Sequence, residues 1–233
     1  GFNLLYGIEQ VRGSDLEGDI IWGNSANNSI FGLGGNDTIY GVAGTNYLDG
    51  GANNDTLFAG SGADVMVGGS GDDLFKTYYN ASGVDNTAKF GGVNTIYGGT
   101  VTLDGSGSVT ASSANGSDTV DYSSIVGNTY NIYADLSTTS NNVEIRTGTT
   151  TVHKTDSVID VNNVRGTSGN DTFRGNANSN ILNGGLGNNT ALYTFTALTA
   201  GIVADLQAGE GTKTTASGTV KDTLINIQNL VGS

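Results

Sequence analysis

The 233-residue chain contains no cysteine and no proline, one methionine, one tryptophan and one histidine. Without cysteine it has neither disulfides nor thiolate metal sites, which removes one usual mark of secretion without excluding export. Bases are scarce: nine Lys and Arg stand against 22 acids, a formal net charge of -13. That balance argues against DNA, RNA or anionic lipid as the main partner. No apolar run approaches the length of a membrane span, and no signal peptide opens the chain. It starts at "GFNLLYG" without a methionine and is expected to be a piece of something longer. Nowhere do apolar residues recur at helical spacing, whereas Val, Ile, Thr and Tyr fill short runs bounded by Gly, Asn, Asp and Ser. The expected class is all-β.

Glycine is abundant, at 38 residues. Each glycine ordered on folding loses more backbone entropy than any other residue would, so something besides apolar burial must help hold the chain. Because Glu9, Glu17, Glu144 and Glu210 are the only glutamates, 18 of the 22 acids are aspartates. Glutamate suits a solvated helix surface, while aspartate in glycine-rich loops suits a cation.

Seven contiguous nine-residue rows run from Ser14 to Lys76. Their sixth residues are Asp19, Asn28, Asp37, Asn46, Asp55, Asp64 and Asp73; their eighth are Ile21, Ile30, Ile39, Leu48, Leu57, Met66 and Phe75, all apolar. Nine residues are enough for a loop and a short strand but not for a helical pair, so each row reads as half a turn of a solenoid. A shorter block, "GTSGNDTFR", "GNANSNILN", "GGLGNNTAL", covers 166–192, and "SANGSDTVD" at 113–121 is a degenerate row. Three gapless segments frame these blocks: "LYGIEQVRG" (5–13), "VIDVNNVRG" (158–166) and "LINIQNLVG" (224–232), each with an apolar residue at every third position. "YADLS" (133–137) and "VADLQ" (203–207) lie upstream of the last two. The resulting segments are 1–13, the tail of a preceding unit; 14–76, the seven rows; 77–112, a β insert with a hairpin or small meander; 113–165, a β connector carrying the degenerate row; 166–192, the second block; and 193–233, a second β connector.

The pattern Gly-Gly-x-Gly-x-Asp-x-(apolar)-x, seen best in "GGANNDTLF" (50–58) and "GGSGDDLFK" (68–76), resembles the calcium-binding RTX nonapeptide. The resemblance implies a right-handed parallel β-roll, two rows per turn, with calcium held between neighbouring loops on each edge. The chemistry agrees with it. Glycines let the loops turn carbonyl oxygens inward, where carboxylates join them in the all-oxygen cage a hard cation prefers. Bare carboxylates on strands about 4.8 Å apart repel by roughly 3 kcal/mol per pair at an effective dielectric near 20.

With two rows per turn, one edge collects Asp19, Asp37, Asp55 and Asp73, and the other collects Asn28, Asn46 and Asp64. The expectation is an asymmetric roll with up to three strong calcium sites between successive members of the Asp edge. The Asn edge is expected to be held by amide hydrogen bonds, with at most one weak ion near Asp64. The competing reading lets asparagine ligate through its amide oxygen, filling both edges. In the second block only Asp171 keeps the acid, followed by Asn180 and Asn189, so it is expected to bind little calcium.

Position nine should face outward, and in alternate rows it reads Trp22, Tyr40, Phe58, Lys76. Such a stripe is expected to be covered by the insert or a following module, or to contact copies of the protein, or to form a glycan platform. No cysteine and no convincing acid cluster accompanies His153, which is expected at the surface, and the adjacent Asp72 and Asp73 point in different directions, which does not suit paired acid-base catalysis. The chain is therefore expected not to be an enzyme. The favoured function is a calcium-dependent structural and interaction module of a long exported bacterial surface protein, resembling RTX adhesins and RTX-containing surface-layer proteins, located at the cell surface. Its expected partners are calcium ions and copies of itself or neighbouring modules, with no nucleic acid and no membrane span. The alternative is a calcium-binding folding and secretion domain accompanying a type I-secreted toxin, hydrolase or epimerase.

Overall fold

The computed structural model describes residues 7–77, 92–103, 109–113, 116–125, 129–138, 142–194 and 198–232. They belong to two compact units, Gly1–Gly116 and Ser117–Ser233. Every helix or strand element among the described residues is a strand.

In the first unit β1 (Gln10–Arg12), β2 (Ile20–Trp22), β3 (Ser29–Gly34) and β4 (Thr38–Tyr40) come first. Then follow β5 (Tyr47–Ala52), β6 (Thr56–Phe58), β7 (Val65–Ser70) and β8 (Leu74–Lys76). The last three are β9 (Thr95–Tyr97), β10 (Thr100–Leu103) and β11 (Val109–Ser113). Two parallel stacks form, β1-β3-β5-β7-β9 and β2-β4-β6-β8. Ile30 aligns with Leu48 and Leu48 with Met66, while Ile39 aligns with Leu57 and Leu57 with Phe75. Each step is 18 residues, so two rows make one coil of the chain. These eighth-position side chains are fully buried, each contributing about 1.5–3 kcal/mol by leaving water. The seam they form is why position eight is always apolar.

The span expected as an insert contains one more row. Val65, Met66 and Val67 align with Thr95, Ile96 and Tyr97, a step of 30 residues instead of 18, and Ile96 is fully buried. β10 and β11 form the antiparallel hairpin within that span. Residues 78–91 of the insert lie outside the described residues.

The second and fourth places are left-handed in four of the seven rows, those beginning at Gly32, Gly41, Gly50 and Gly68. Gly51 and Gly69 have φ of 110° and 105°, and Gly71 has 129°. A Cβ on Gly69 would also collide with the carbonyl of Gly51 one coil earlier. Gly69→Ala is therefore expected to destabilise the calcium-saturated chain by about 3 kcal/mol, combining strain with the clash; a denaturant midpoint equal to wild type would show that the coils can spread.

The second unit holds β12 (Thr119–Asp121), β13 (Tyr130–Asp135), β14 (Asn142–Thr147) and β15 (Thr151–Ile159). Next are β16 (Asn163–Arg165), β17 (Thr172–Arg174), β18 (Ile181–Asn183) and β19 (Thr190–Leu192). β20 (Val203–Asp205), β21 (Glu210–Thr215), β22 (Gly218–Ile225) and β23 (Asn229–Val231) complete it. Parallel stacks again carry the rows: β12-β16-β18-β22 and β13-β17-β19-β23. Antiparallel strands flank them, β14 and β15 beyond β13, and β21 and β20 beyond β22. The degenerate row supplies β12, and the ends of all three framing segments supply the rungs β1, β16 and β23. In the second framing segment Val158, Val161 and Val164 are all buried, so its every-third-residue spacing lines a corner of the coil.

Candidate metal sites

The Asp edge is a column of carboxylates linked through the backbone. Asp37 Oδ1 accepts from the Asp19 N–H at 2.7 Å, Asp55 Oδ1 from the Asp37 N–H at 2.8 Å, and Asp73 Oδ1 from the Asp55 N–H at 2.8 Å. Asp37, Asp55 and Asp73 are at most 2% exposed. The second oxygens of Asp37 and Asp55 are buried and have no hydrogen-bond partner. They face the first glycine of their own rows: a Cβ on Gly32 would strike Asp37 Oδ2 together with the carbonyl oxygen of Gly50, and a Cβ on Gly50 would strike Asp55 Oδ2. At the head of the column, Asp19 Oδ2 accepts from the Ser14 N–H at 2.6 Å.

The other edge differs in one chemical respect, since an amide carries its own donor. Asn46 Oδ1 accepts from the Asn28 N–H at 2.9 Å, and Asn46 Nδ2 donates to the carbonyls of Ala43 (3.0 Å) and Gly41 (3.2 Å) and to Asp64 Oδ1 (2.9 Å). Asp64 Oδ1 also takes the Asn46 N–H at 2.8 Å, and Asp64 Oδ2 takes the Gly60 N–H at 2.7 Å. Asn94 continues the column, accepting from the Asp64 N–H at 3.1 Å. The alternation of Asp and Asn thus leaves one edge with buried oxygens that lack donors and closes the other with its own N–H groups.

Burial raises the carboxyl of Asp37, that of Asp55 to about 8, and that of Asp73 to about 6; the neighbouring charges of Asp73 and Asp37 add to the rise at Asp55. A raised carboxyl means the metal-free fold holds protons that the unfolded chain releases. Its stability is then greatest below the ordinary carboxyl range and is lost as pH climbs towards about 8. In excess chelator, acidification from about pH 8 to about pH 5 is expected to increase order in the first unit. Hydrogen exchange in chelator, corrected for the intrinsic pH effect, measures this; protection that falls on acidification would contradict it.

Among the described residues no three His, Asp or Glu side chains converge on one point, so backbone oxygens must supply part of any cage. The Asp edge meets that requirement. Buried oxygens without protein donors, set beside inward carbonyls in spaces that only glycine leaves open, form a donor set fitted to a hard cation. Scanned against protein-family models, residues 15–48, 40–75 and 159–191 match the RTX calcium-binding nonapeptide repeat (4 copies). These segments are RTX repeats. No curated protein matches the chain. Among solved structures, the AlgE6R3 subunit of the Azotobacter vinelandii mannuronan C5-epimerase matches at 22% identity, over 66% of this chain and 78% of that one, with a TM-score of 0.23.

RTX repeats bind calcium, and the chain carries such repeats within residues 15–75 and 159–191, on an all-β fold of coiled parallel strands. Of the residues expected to hold the ion, the structure brings Asp19, Asp37, Asp55 and Asp73 into one column. Asp64 lies in the other column with donors on both oxygens. Asp171, in the second RTX segment, likewise receives donors on both: Ile132 N–H and Thr167 Oγ1 reach Oδ1 at 2.7 and 2.9 Å, and Thr167 N–H reaches Oδ2 at 2.8 Å. Burial lifts the Asp171 carboxyl to about 6. Asp64 and Asp171 therefore differ from Asp37 and Asp55 in having an N–H or O–H donor on each carboxylate oxygen. Asn94 escaped the sequence reading; "NTIY" at 94–97, an echo of "DTIY" at 37–40, was the available signal.

His153 lies exposed on β15, its Nε2 2.7 Å from Thr147 Oγ1 and its ring edge-on to Tyr130. The Trp22 and Tyr40 rings stack at 3.8 Å and those of Tyr40 and Phe58 at 4.4 Å, as the outward column at position nine requires.

Proposed function

We propose that the chain is a structural and interaction module, without enzymatic activity of its own, in a long exported bacterial surface protein of surface-layer or adhesin type, and that calcium outside the cell drives its folding. The observation that carries this reading is the contrast between the two edges of the first unit. One leaves the buried Asp37 and Asp55 oxygens without donors, and the other satisfies itself through Asn46. On this reading Asp19, Asp37, Asp55 and Asp73 hold up to three ions, each between successive carboxylates and the loop carbonyls. Calcium supplies the positive charge that turns repulsion along the column into attraction. Each site that is about tenfold saturated adds roughly 1.4 kcal/mol to the folded state, and the contributions add.

Where calcium is scarce, the acidic, glycine-rich chain stays loose enough for export; where it is plentiful, the column closes. Contacts with copies of itself or with neighbouring modules complete the role, and the stacked Trp22, Tyr40 and Phe58 column is the surface suited to them. Circular dichroism and sedimentation velocity during one calcium titration test the proposal. The expected result is a gain of β structure, followed by ordered self-association for a surface layer or a stable monomer for an adhesin. A chain that gains no structure with calcium would overturn it.

A further inference from the structure

The second unit contains two lysines that are almost completely enclosed, and one stands where the first unit would place a metal. Asp222 precedes Leu224 by two residues, as Asp37 precedes Ile39 and Asp55 precedes Leu57. Its Oδ1 accepts from the Asn180 N–H at 2.9 Å, repeating the link from the Asp19 N–H to Asp37 Oδ1. Asp222 and Asn180 are thus neighbouring members of an edge column. Lys213, fully buried, reaches this column from β21, outside the rows. Its Nζ donates to Asp222 Oδ1 and Oδ2 at 2.6 and 2.8 Å and to Asn180 Oδ1 at 2.9 Å, using all three ammonium hydrogens. A Cβ on Gly175, the first residue of Asn180's row, would collide with Asn180 Oδ1 and lie 3.5 Å from that Nζ. The same construction on Gly32 meets the Asp37 carboxylate and the Gly50 carbonyl.

We propose that Lys213 is a tethered cation filling a loop position that would otherwise take a divalent ion, so that this part of the second unit is held without calcium. The proposal rests on the calcium reading of the Asp edge and adds to it a division of labour between the units. A buried ammonium is tolerated only when paired and hydrogen-bonded on every side, and Lys213 is. The arrangement also recurs. Asp156 stands two residues ahead of Val158, the first residue of the second framing segment, as Asp222 stands two residues ahead of Leu224, the first of the third. Asp156 pairs with buried Lys154 at 2.9 Å and accepts from the Tyr122 hydroxyl at 3.0 Å. Tyr193 stands near Asp222 as Tyr122 stands near Asp156: burial and the Asp222 carboxylate raise its phenol well above the ordinary range.

Hydrogen exchange and calorimetry on the full chain test this. In wild type, the amides of Ile181 and Thr223 are expected to be equally protected in calcium and in excess chelator. Lys213→Ala should lose at least tenfold of that protection in chelator, regain it in millimolar calcium, and bind one additional calcium ion. Lys213→Met with Asp222→Asn, which fills the volume and removes both charges, should stay protected in chelator and bind no additional ion. The proposal is overturned if Lys213→Ala keeps its protection in chelator, if calcium fails to restore it, or if the double variant is as unprotected as the alanine variant. The amides of Thr38 and Thr56 report the Asp edge in the same experiment. Calcium-independent protection there would defeat the proposed function, whatever Lys213 does.

Discussion

Asp55→Asn is expected to make the chain bind two fewer calcium ions and yet hold together better without calcium. Asp55 belongs to two of the three candidate sites, one with Asp37 and one with Asp73, and the hydrogen bonds that link them place it at the middle of the column. Its Oδ2 is buried without a donor, and its carboxyl is raised to about 8 chiefly by that burial. An amide in its place brings an N–H pair that reaches loop carbonyls, as Asn46 already does on the opposite edge. Removing an unsatisfied buried carboxylate should raise metal-free stability by about 1–3 kcal/mol. In calcium the sign reverses, because the variant forfeits two bound ions. Calorimetric stoichiometry together with melting in chelator and in calcium measures both halves; unchanged stoichiometry would mean that an amide oxygen serves as well as a carboxylate.

Gly32→Ala is expected to abolish the two sites that share Asp37 while leaving the rows in phase. Gly32 is not among the positive-φ residues, so alanine costs nothing in backbone strain. Its methyl group would instead occupy the space shared by Asp37 Oδ2 and the Gly50 carbonyl, where an ion would stand. The Asp37 carboxylate would have to rotate away, breaking its bond from the Asp19 N–H. A loss of about 3 kcal/mol in calcium, and of two ions in stoichiometry, is the expected effect, with a smaller loss in chelator. An equal loss in both conditions would reduce the glycine to a packing requirement.

Much of this was legible from the chain. A nine-residue phase with Ile30, Ile39, Leu48 and Leu57 at the eighth place forces two buried seams, and the 18-residue strand register follows. The alternation of Asp37, Asn46 and Asp55 foretold two unlike edges, since side chains 18 residues apart share a column. What escaped involves partners brought from a distance. The row at Asn94–Tyr97 resumes after a break that ends the visible phase, yet its register with Val65–Val67 is set by the buried Ile96 and not by spacing. The donors that satisfy Asp171 come from Ile132 and Thr167, and Ile132 belongs to a strand with no row signature. Lys213 reaches Asp222 across an antiparallel pair, and nothing in "EGTKTT" marks that lysine as internal.

The central claim is that carboxylates stacked by the coiling chain require a divalent counterion for the first unit to be rigid. Hydrogen exchange at the amides of Thr38, Thr56 and Leu74, which bond to the carbonyls of Asp19, Asp37 and Asp55, tests it most directly when followed through a calcium titration from excess chelator. The account predicts that these amides exchange freely in chelator and become protected together as up to three ions bind. Full protection in chelator, unchanged by calcium, would contradict it.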